Sequence, residues 1–491
     1  MSLKDWFLII FLLILAYFPI FWKLDSHSLY HWDEARNALN ANEMYFNGNY
    51  LVRHYMGAPD QWETKPPLLT WLQVSSLKIV GFNELAIRLP IALFALGTVL
   101  MIFFFFRNVL QESAAGFFAS LTLVTTNGYI HYHVARNGDH DTVLIFFLVA
   151  LLLSFYRYLQ EDTIFRGLLC GLLLALAVLT KSIAGLFFLP GLLLYTILSG
   201  KLLQLCKRKS FYLGLGLCIG LVATYYLAAN AANPSYLTWV WNNELLPRFF
   251  NLNDDPEFVH LSDKLYYFNI LKGSHFKYYF WFLIIPLLLL CFHKKLAHKS
   301  FYLLLAITAF SFLFLISLGT KKGWYATPAY PLLAMLIGMG LAESIRLIGH
   351  YAHLKIKTAY LYIPMALLFF ALPYQQMIQK IDQDKGSSDK YGELLEHLEK
   401  IAPTQKAYFV LYQWRNSSYL WYEQVYERIK GFELESCGFR NSLEDCQAMP
   451  EVGQQAIVSS AKMLEELQTA FHCDCIAYFN GYQVCTIVGK K

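Results

Sequence analysis

Apolar segments long enough to cross a bilayer recur along this chain from residue 6 to about residue 375. The hydrocarbon core of a bilayer takes about 17–25 residues of α-helix. Of the 491 residues, 56% are hydrophobic and only 15% are charged. The pattern predicts a mainly α-helical polytopic membrane protein with about eleven transmembrane helices. The expected spans are about 6–22, 88–106, 114–131, 142–159, 164–180, 183–199, 210–229, 277–292, 300–318, 326–345 and 358–375.

The apolar segment Pro66–Val80 decides the predicted topology. It is about 15 residues long and contains Gln73 and Lys78, so we expect an interfacial helix rather than a span. With that assignment the basic clusters all fall on one side, which the positive-inside rule identifies as the cytoplasm. These clusters are Arg107, Arg157, Arg166, Lys201, Lys207, Arg208, Lys209, Lys294, Lys295, Lys299, Arg346, Lys355 and Lys357. The N-terminus is then cytoplasmic, and the loops 23–87 and 230–276 and the C-terminus lie outside.

From residue 376 the composition turns polar and charged. Residues 406–412 and 475–479 alternate as strands do, and residues 459–471 have the pattern of an amphipathic helix. We therefore expect a transmembrane domain over residues 1–375 and a small extracytoplasmic α/β domain over residues 376–491. This stretch holds five cysteines, so at most two disulfides can form there, and Cys437 and Cys446 are close enough in sequence to pair.

Ionisable residues concentrate in the first outer loop, at Asp33, Glu34, Arg36, Glu63 and Lys65. A carboxylate at the end of a span can accept a proton from an attacking hydroxyl, and adjacent carboxylates also suit a hard divalent cation. We predict Asp33 and Glu34 as catalytic residues. If a divalent metal ion is bound, we expect Asp33, Glu34 and Glu63 to hold it. The plainer alternative is an acidic pair that only solvates the loop.

A second charged segment, from Arg136 to Asp141, emerges on the same outer side. Asp141 precedes an apolar helix, so helix capping explains it as well as catalysis does. Capping does not account for Arg136, Asp139 and His140, and a second carboxylate opposite the first could hold a metal or orient a sugar hydroxyl. We predict Asp141 as catalytic and Arg136 and Asp139 as substrate-binding, with Asp139 and Asp141 competing for the place in the site.

Cations also gather at the outer boundary, against the usual charge bias of outer loops. They are Lys65, Lys181, Lys321 and Lys322, and Tyr325 follows the last two. Snorkelling explains any single lysine at that depth. Several beside carboxylates indicate an anion site, and the expected anion is a lipid-linked phosphate. In the loop 230–276, Glu244 and Arg248 lie four residues apart, so a helical ion pair explains them as well as substrate binding does.

In this order the segments resemble the GT-C membrane glycosyltransferases, specifically the group of the protein O-mannosyltransferases and the bacterial lipid A aminoarabinose transferase. The matching motifs are Asp33-Glu34-Ala35-Arg36, Lys65-Pro66-Pro67-Leu68, Arg88-Leu89-Pro90, Arg136 to Asp141, Lys181 to Gly185, and Tyr325 to Pro331. The resemblance covers most of residues 1–345. In the aminoarabinose branch a Glu directly precedes the Lys, whereas here Thr64 separates Glu63 from Lys65, which argues against aminoarabinose as the sugar.

The resemblance implies transfer of a sugar from a polyprenyl-phosphate donor to a lipid, glycan or protein acceptor on the outer face of a bacterial plasma membrane, usually with inversion. It makes Asp33 the leading candidate for the base, with Glu34 and Asp141 near it. The implied substrate-binding residues are Arg36, Glu63, Lys65, Arg88, Arg136, Asp139, Lys181, Lys321, Lys322 and Tyr325. The expected partners are the lipid donor, the acceptor and membrane lipids, with no nucleic acid, and a divalent metal ion is the only cofactor considered.

Two other functions fit a polytopic chain. A transporter or lipid flippase needs ionisable residues near the bilayer midplane, whereas those named above cluster at one face. A non-catalytic assembly subunit would leave the carboxylates and cations scattered in three dimensions. For the C-terminal domain we expect a role in acceptor access or in covering the cavity, with the chemistry kept in the membrane domain.

Overall fold

The computed structural model describes residues 3–131, 133–246, 263–351, 361–384, 386, 390–412, 416–438, 446, 449–478 and 481–491. The predicted helical partner Arg248, the basic residues Lys355 and Lys357, and the first residues of the span expected at 358–375 lie outside these ranges.

Helices make up most of the described chain. In chain order they are α1 (Leu3–Phe21), α2 (Asp33–Asn47), α3 (Leu68–Val80), α4 (Glu84–Phe105), α5 (Ser113–Val124), α6 (Asn127–Ile130), α7 (Asp141–Gln160), α8 (Ile164–Lys181), α9 (Leu189–Leu198), α10 (Leu202–Lys207), α11 (Lys209–Ala232), α12 (Tyr236–Val240), α13 (Tyr266–Ile270), α14 (Ile284–Phe292), α15 (Lys299–Ser317), α16 (Ala329–Tyr351), α17 (Tyr362–Asp382), α18 (Tyr391–Ile401), α19 (Ser417–Lys430) and α20 (Ala461–Ala470). Short π-helical segments occupy Phe106–Leu110, Trp241–Leu245 and Leu271–His275. Short 3₁₀ helices occupy Ser182–Leu186, Trp281–Leu283 and Gly323–Ala326.

Seven helical segments of the described chain are long and apolar enough to cross a membrane. They are Leu3–Phe21, Glu84–Leu110, Asp141–Gln160, Ile164–Leu186, Lys209–Ala232, Lys299–Ser317 and Ala329–His350. Three further predicted spans fall on the shorter helices Ser113–Val124, Leu189–Leu198 and Trp281–Phe292. Ten to twelve residues rise only about 15–18 Å, about half of a 30 Å hydrocarbon core. Apolar composition does not reveal where a helix is interrupted. One interruption is at Ser182, directly after α8, where the backbone has a φ of 49°.

The predicted interfacial segment Pro66–Val80 forms α3, a helix of 13 residues that is too short to span the membrane. Beside it, α8 and α11 pack with their backbones almost touching. A Cβ atom at Gly171 would lie 2.0 Å from the carbonyl oxygen of Gly214, so only glycine permits this approach. The close packing fixes α8, whose last residue is Lys181.

The C-terminal part contains a five-stranded sheet in the order β4-β3-β5-β7-β6. The strands are β3 (Ala407–Tyr412), β4 (Glu433–Gly438), β5 (Gln455–Val458), β6 (Phe471–Ala477) and β7 (Gln483–Lys490). A two-stranded hairpin between α2 and α3 consists of β1 (His54–Tyr55) and β2 (Ala58–Pro59). β3 pairs in parallel with β4 and β5, and β7 pairs antiparallel with β5 and β6. Disulfides join Cys437 to Cys446, as the spacing suggested, and Cys475 to Cys485.

The prediction of a mainly helical polytopic protein with a small C-terminal α/β part is confirmed. The predicted boundary at residues 375/376 falls inside α17, which continues to Asp382. The C-terminal part packs on α2, and the shared apolar cluster contains Ala35 and Leu39 of α2 together with Tyr391 and Trp421. α2 is therefore enclosed by α3, α4 and the C-terminal part.

Candidate active site

Asp33 begins α2 and keeps an open side, since its side chain is 44% exposed. His133 lies between two carboxylates, with its Nδ1 atom 4.0 Å from Asp33 Oδ2 and 3.1 Å from Asp139 Oδ2. Burial, and then the negative charge of Asp139, raises the pKa of Asp33, although Lys65 opposes the shift. Accessible oxygens and an increased proton affinity are the properties of a general base.

Asp139 is the buried member of this group. Its Oδ1 accepts hydrogen bonds from the backbone N–H of His140 at 2.6 Å and from the Asn37 side chain at 3.4 Å, and it lies 3.0 Å from His140 Nδ1. Burial alone would raise the pKa of Asp139, but the bonds with His133 and His140 lower it well below its usual value. Burial likewise would lower the pKa of His133, yet its contacts with Asp139 and Asp33 raise it. Asp139 is therefore a fixed negative charge facing His133.

Glu34 follows Asp33 in the sequence but points into the protein, with 1% of its surface exposed. Arg88 donates to both of its oxygens, from Nε at 2.8 Å and from Nη2 at 2.9 Å. The backbone N–H groups of Gly138 and Tyr30 each donate at 2.7 Å. The other Arg88 donors bond the carbonyl oxygens of Leu24, His27 and Ser28. Glu34 and Arg88 thus join α2, α4 and the segment that precedes α7, and both side chains are buried.

A second ion-pair cluster surrounds Glu63. Lys65 Nζ lies 2.8 and 3.0 Å from the two oxygens of Glu63 and 3.6 Å from Glu244 Oε1. Arg53 Nη1 lies 3.3 Å from Glu63, and its Nη2 lies 3.1 Å from His140 Nε2. Burial opposes both charges, but the opposite charges prevail, so the pKa of Glu63 is lowered and that of Lys65 is raised. The intervening Thr64 does not prevent Glu63 and Lys65 from pairing.

Arg36 lies one turn after Asp33 on α2 and turns away from it toward Asp60. Its Nη2 donates to Asp60 Oδ1 at 2.6 Å and its Nε donates to Oδ2 at 3.0 Å. Asn40 and the backbone N–H groups of Trp62 and Glu63 also bond the Asp60 carboxylate. This bidentate pair fixes the loop that carries Glu63 and Lys65 to α2.

Asp141 begins α7 and forms a buried pair with Lys181, whose Nζ lies 2.7 Å from each of its oxygens. The pair lines a cavity of about 180 Å³. Its walls are mostly apolar and include Leu144, Ala184, Phe187, Phe312, Leu315, Ile316, Leu318 and Pro328, and Gly319, Thr320 and Tyr325 complete the lining. A mainly apolar space with a lysine in its wall suits a lipid tail joined to an anionic head.

The remaining predicted residues take other places. Arg136 donates to the carbonyl oxygens of Pro19, Ile20 and Lys23 at the end of α1. Burial, and then the charge of Arg88, lowers the pKa of Arg136 to about 10. Lys321 is buried, and Lys322 Nζ lies 5.3 Å from the ring centre of Trp324, which stacks on His133 at 4.3 Å.

The structure thus gathers Asp33, Glu63, Lys65, Asp139, Asp141 and Lys181 around one region, with Tyr325 on the cavity wall beside it. It places Glu34 and Arg88 in an interior pair, Arg36 on Asp60, and Arg136 at the end of α1. Sequence reasoning missed His133 and Arg53. An isolated His or Arg in a loop carries no motif, so only the long-range contacts of these residues identify them.

A metal ion would find a different set of ligands from the predicted one. Ligand atoms of Asp33, His133 and Asp139 all lie within 4.8 Å of one another. Glu34 and Glu63, the other predicted ligands, are saturated by Arg88 and by Lys65 with Arg53. Imidazole and carboxylate ligands at this spacing suit a transition metal such as Mn²⁺ or Zn²⁺.

The fold and the site define a polytopic membrane protein of GT-C architecture. The crystal structure of ArnT from Cupriavidus metallidurans bound to undecaprenyl phosphate superimposes with a TM-score of 0.71 at 16% sequence identity, over 99% of this chain and 98% of that one. At this identity the likeness shows the fold.

Sequence comparisons agree with that class. The family model described as dolichyl-phosphate-mannose-protein mannosyltransferase matches residues 64–227. The undecaprenyl phosphate-alpha-4-amino-4-deoxy-L-arabinose arabinosyl transferase of Aeromonas hydrophila is 27% identical over 255 residues, which cover 51% of this chain and 45% of that protein. The putative mannosyltransferase YycA of Bacillus subtilis is 22% identical over 239 residues, 48% of this chain and 34% of that protein. The chain spans less than half of either curated relative. The predicted resemblance to the GT-C class glycosyltransferases is confirmed.

Proposed function

We propose that this protein transfers a sugar from a polyprenyl-phosphate donor to a hydroxyl of an acceptor at the outer face of the membrane, with inversion. The observation that carries the proposal is the half-exposed carboxylate of Asp33, which interacts with Lys65, His133 and Asp139. Asp139 in turn interacts with Lys181, which lines an apolar cavity. Lipid-phosphate-linked sugars are named for the matching family and for a relative, and the superimposed structure holds undecaprenyl phosphate, the carrier that such a donor leaves behind.

Asp33 is the base in this proposal. It is the carboxylate of the group with solvent access, and its raised pKa increases its affinity for the acceptor proton. Glu34 keeps its oxygens in hydrogen bonds with Arg88, Gly138 and Tyr30, so its role is to position the first turn of α2. Asp141 neutralises Lys181, and that pair orients the lysine in the cavity wall.

The apolar cavity holds the first part of the polyprenyl chain, and its polar end holds the phosphate. Lys65 interacts with the base Asp33, Lys181 lines the cavity, and so does Tyr325, which follows Lys321 and Lys322 in the chain. Negative charge builds on the phosphate oxygen as the bond to the sugar breaks, and fixed positive charge stabilises that state. Arg36, Arg88 and Arg136 act by positioning, because each binds oxygens that hold the fold together and none of them lines the cavity.

The proposed step is a single displacement. The acceptor O–H gives its proton to Asp33 while the oxygen forms a bond to the anomeric carbon. The bond from that carbon to the phosphate oxygen breaks, and its electron pair leaves with the polyprenyl phosphate. Because attack and departure occur on opposite sides of the carbon, the anomeric configuration inverts.

We further propose that Asp33, His133 and Asp139 bind a divalent cation. Among the described residues of the cluster, the five carboxylates Asp33, Glu63, Asp139, Asp141 and Glu244 face the three cations Arg53, Lys65 and Lys181. This leaves two negative charges when the histidines are neutral, and a phosphate adds more. When bound, a cation at these ligands would supply positive charge to an anionic substrate and would offset the repulsion between the Asp33 and Asp139 carboxylates.

Mn²⁺ binding tests that cation site without any substrate. The purified chain in nanodiscs is titrated with Mn²⁺ and the free ion is followed by electron paramagnetic resonance. We expect one site per chain, weakened about tenfold or more by His133→Ala or Asp139→Asn. His131→Ala, in the same loop but outside the ligand group, is the control. Absence of binding, or equal weakening by the control, contradicts the site.

The membrane orientation remains part of the proposal. Positive-inside topology places the N-terminus in the cytoplasm and the C-terminal domain in the extracytoplasmic space of a bacterial plasma membrane. Asp141 begins one membrane helix and Lys181 ends the next, so these charges sit at helix ends. A transporter would need such charges near the midplane, and this placement favours the transferase.

Donor binding tests the function directly, with undecaprenyl phosphate as the probe. Lys65→Met keeps the stem of the side chain and removes its charge. Loss of a charge-assisted contact should raise the dissociation constant about tenfold or more. Lys78→Met on α3, whose lysine bonds Tyr50 outside the site, is the matched control. Equal affinity of the Lys65→Met variant and the wild type would assign Lys65 to anchoring the loop, and absence of binding by the wild type would contradict the proposed function.

A further inference from the structure

Two exposed tryptophans stand beside the carboxylates of the site. Trp32 is 81% exposed and directly precedes Asp33, and Trp62 is 72% exposed and directly precedes Glu63. Consecutive Cα atoms are about 3.8 Å apart, so each indole belongs to the residue next to a carboxylate of the site. Both residues lie between α1 and α3, outside the helices long enough to span the membrane.

One chain of hydrogen bonds holds both residues in place. The carbonyl oxygen of Trp32 accepts from the Arg36 backbone N–H at 2.9 Å. The Arg36 side chain donates to Asp60 Oδ1 at 2.6 Å, and the same oxygen accepts from the backbone N–H of Trp62 at 2.9 Å. Asp60 is buried. The two tryptophan backbones are therefore fixed relative to each other by a single ion pair.

The backbone of Trp32 is strained, with φ 67° and ψ −111°. Residues other than glycine seldom adopt a positive φ. Those that do concentrate at functional sites, where the surrounding structure enforces that conformation. Here Tyr30 is held by Glu34, and the side chain of His31 lies 3.4 Å from that of Asn416. Trp32 thus carries a large, rigid and exposed side chain at the residue next to Asp33.

We propose that Trp32 and Trp62 form a clamp for a sugar ring of the acceptor, which makes the acceptor a glycan or the headgroup of a glycolipid. This rests on the proposed function, in which an acceptor hydroxyl must reach Asp33. The C–H face of a sugar is apolar and slightly positive, so it stacks on the electron-rich face of an indole. Its hydroxyls then point sideways, one of them toward the carboxylate.

The competing role for an exposed indole is anchoring in the membrane interface, where tryptophan is enriched. Lipids brominated along the acyl chain, in nanodiscs that hold the full chain, separate the two roles because they quench only indoles near the lipid. Trp281 is the reference, since it is 58% exposed and starts the apolar segment Trp281–Phe292. We expect Trp281→Phe to remove quenchable fluorescence and Trp32→Phe and Trp62→Phe to leave it unchanged. Quenching of Trp32 and Trp62 equal to that of Trp281 would overturn the clamp.

Sugar binding is measured by protection of these indoles from acrylamide, a soluble quencher. One arm adds soluble gluco-, galacto- and N-acetylglucosamine oligosaccharides, and the other places glycosyl-diacylglycerols in the nanodisc, so that free glycans and glycolipids are distinguished. We expect protection in at least one arm, lost in the Trp32→Ala/Trp62→Ala variant and retained in Trp32→Tyr. No protection in either arm overturns the proposal.

Donor binding keeps this result separate from the proposed function. The Trp32→Ala/Trp62→Ala variant should bind undecaprenyl phosphate with the affinity of the wild type, because neither indole belongs to the apolar cavity. Loss of sugar protection with donor binding intact supports the clamp. If the wild type binds no undecaprenyl phosphate, the transferase proposal fails, while the protection measurement still decides whether the tryptophans bind sugar.

Discussion

The first turn of α2 places adjacent carboxylates in two different environments. Glu34 turns inward to Arg88 and receives four hydrogen bonds, whereas Asp33 turns outward and has only His133 at 4.0 Å as an ion-pair partner among the described residues. Successive helix residues are rotated by about 100°, so neighbours in sequence reach different surroundings. Adjacency in a motif therefore does not imply a shared role, and the number of partners of each oxygen separates a base from a support.

The strongest test of this contrast is Asp33→Asn, which keeps the size of the side chain and removes the base. We expect turnover to fall about 10²- to 10⁴-fold, with an unchanged unfolding temperature and undecaprenyl phosphate affinity. The assay is transfer from a radiolabelled polyprenyl-phosphate sugar to a membrane acceptor fraction. Near wild-type transfer by this variant would move the base to another carboxylate of the cluster.

Glu34→Gln should show the opposite pattern. It leaves Arg88 buried without its counter-charge, and breaking a buried pair costs about 3–5 kcal/mol. The measurement is the unfolding free energy of the detergent-solubilised chain. If Glu34→Gln unfolds as the wild type does but loses transfer, Glu34 takes part in the chemistry and is not only a structural support for α2.

The Arg36–Asp60 pair should give a smaller and pH-dependent effect. Burial would raise the pKa of Asp60, but its bonds with Arg36 lower it below the unfolded value of about 3.9. Its contribution to stability is then fully present above that unfolded value and is lost as the pH falls through the lower folded value. Asp60→Asn should destabilise the chain by about 1.5–3 kcal/mol at neutral pH, and the gap should narrow below about pH 4.

Asp382→Asn is the matched control for that experiment. Asp382 pairs with Lys23 at 2.9 Å on the surface, where ion pairs contribute little. We expect a small effect at every pH. A gap for Asp60→Asn that stays constant down to acid pH would mean that the variant loses packing rather than a charge interaction.

Local sequence patterns predicted much of this structure, but they did not predict which charged side chains pair with one another. Hydropathy located the long helices, and the short apolar segment Pro66–Val80 was correctly separated from them by its length and its polar residues. Asp33, Lys65 and Asp141 stood out because charges are rare in an apolar chain. The pairing of Glu34 with Arg88 spans 54 residues, and that of Asp141 with Lys181 spans 40. No periodicity encodes which of several cations a carboxylate will meet at such separations.

Breaks within apolar segments were also invisible to hydropathy. The helix expected over 114–131 stops at Val124, where the Thr125 hydroxyl donates to the carbonyl oxygen of Leu121. Threonine is compatible with a membrane span, so its presence did not predict the stop. His133 escaped notice for a related reason, since its importance comes from Asp33 and Asp139 on either side of it.

The enclosure of α2 also determines when its packing can be completed during synthesis of the chain. The hydroxyl of Tyr422 bonds the backbone N–H of Leu29 across 393 residues, and Ala35 and Leu39 bury against the same late segment. Chains are made from the N-terminus, so the helix that bears Asp33 emerges early and waits for its last neighbours. Until those neighbours are made, the apolar face of α2 stays uncovered on that side. A chain shortened after α17 would therefore be a stalled assembly intermediate rather than a smaller version of the protein.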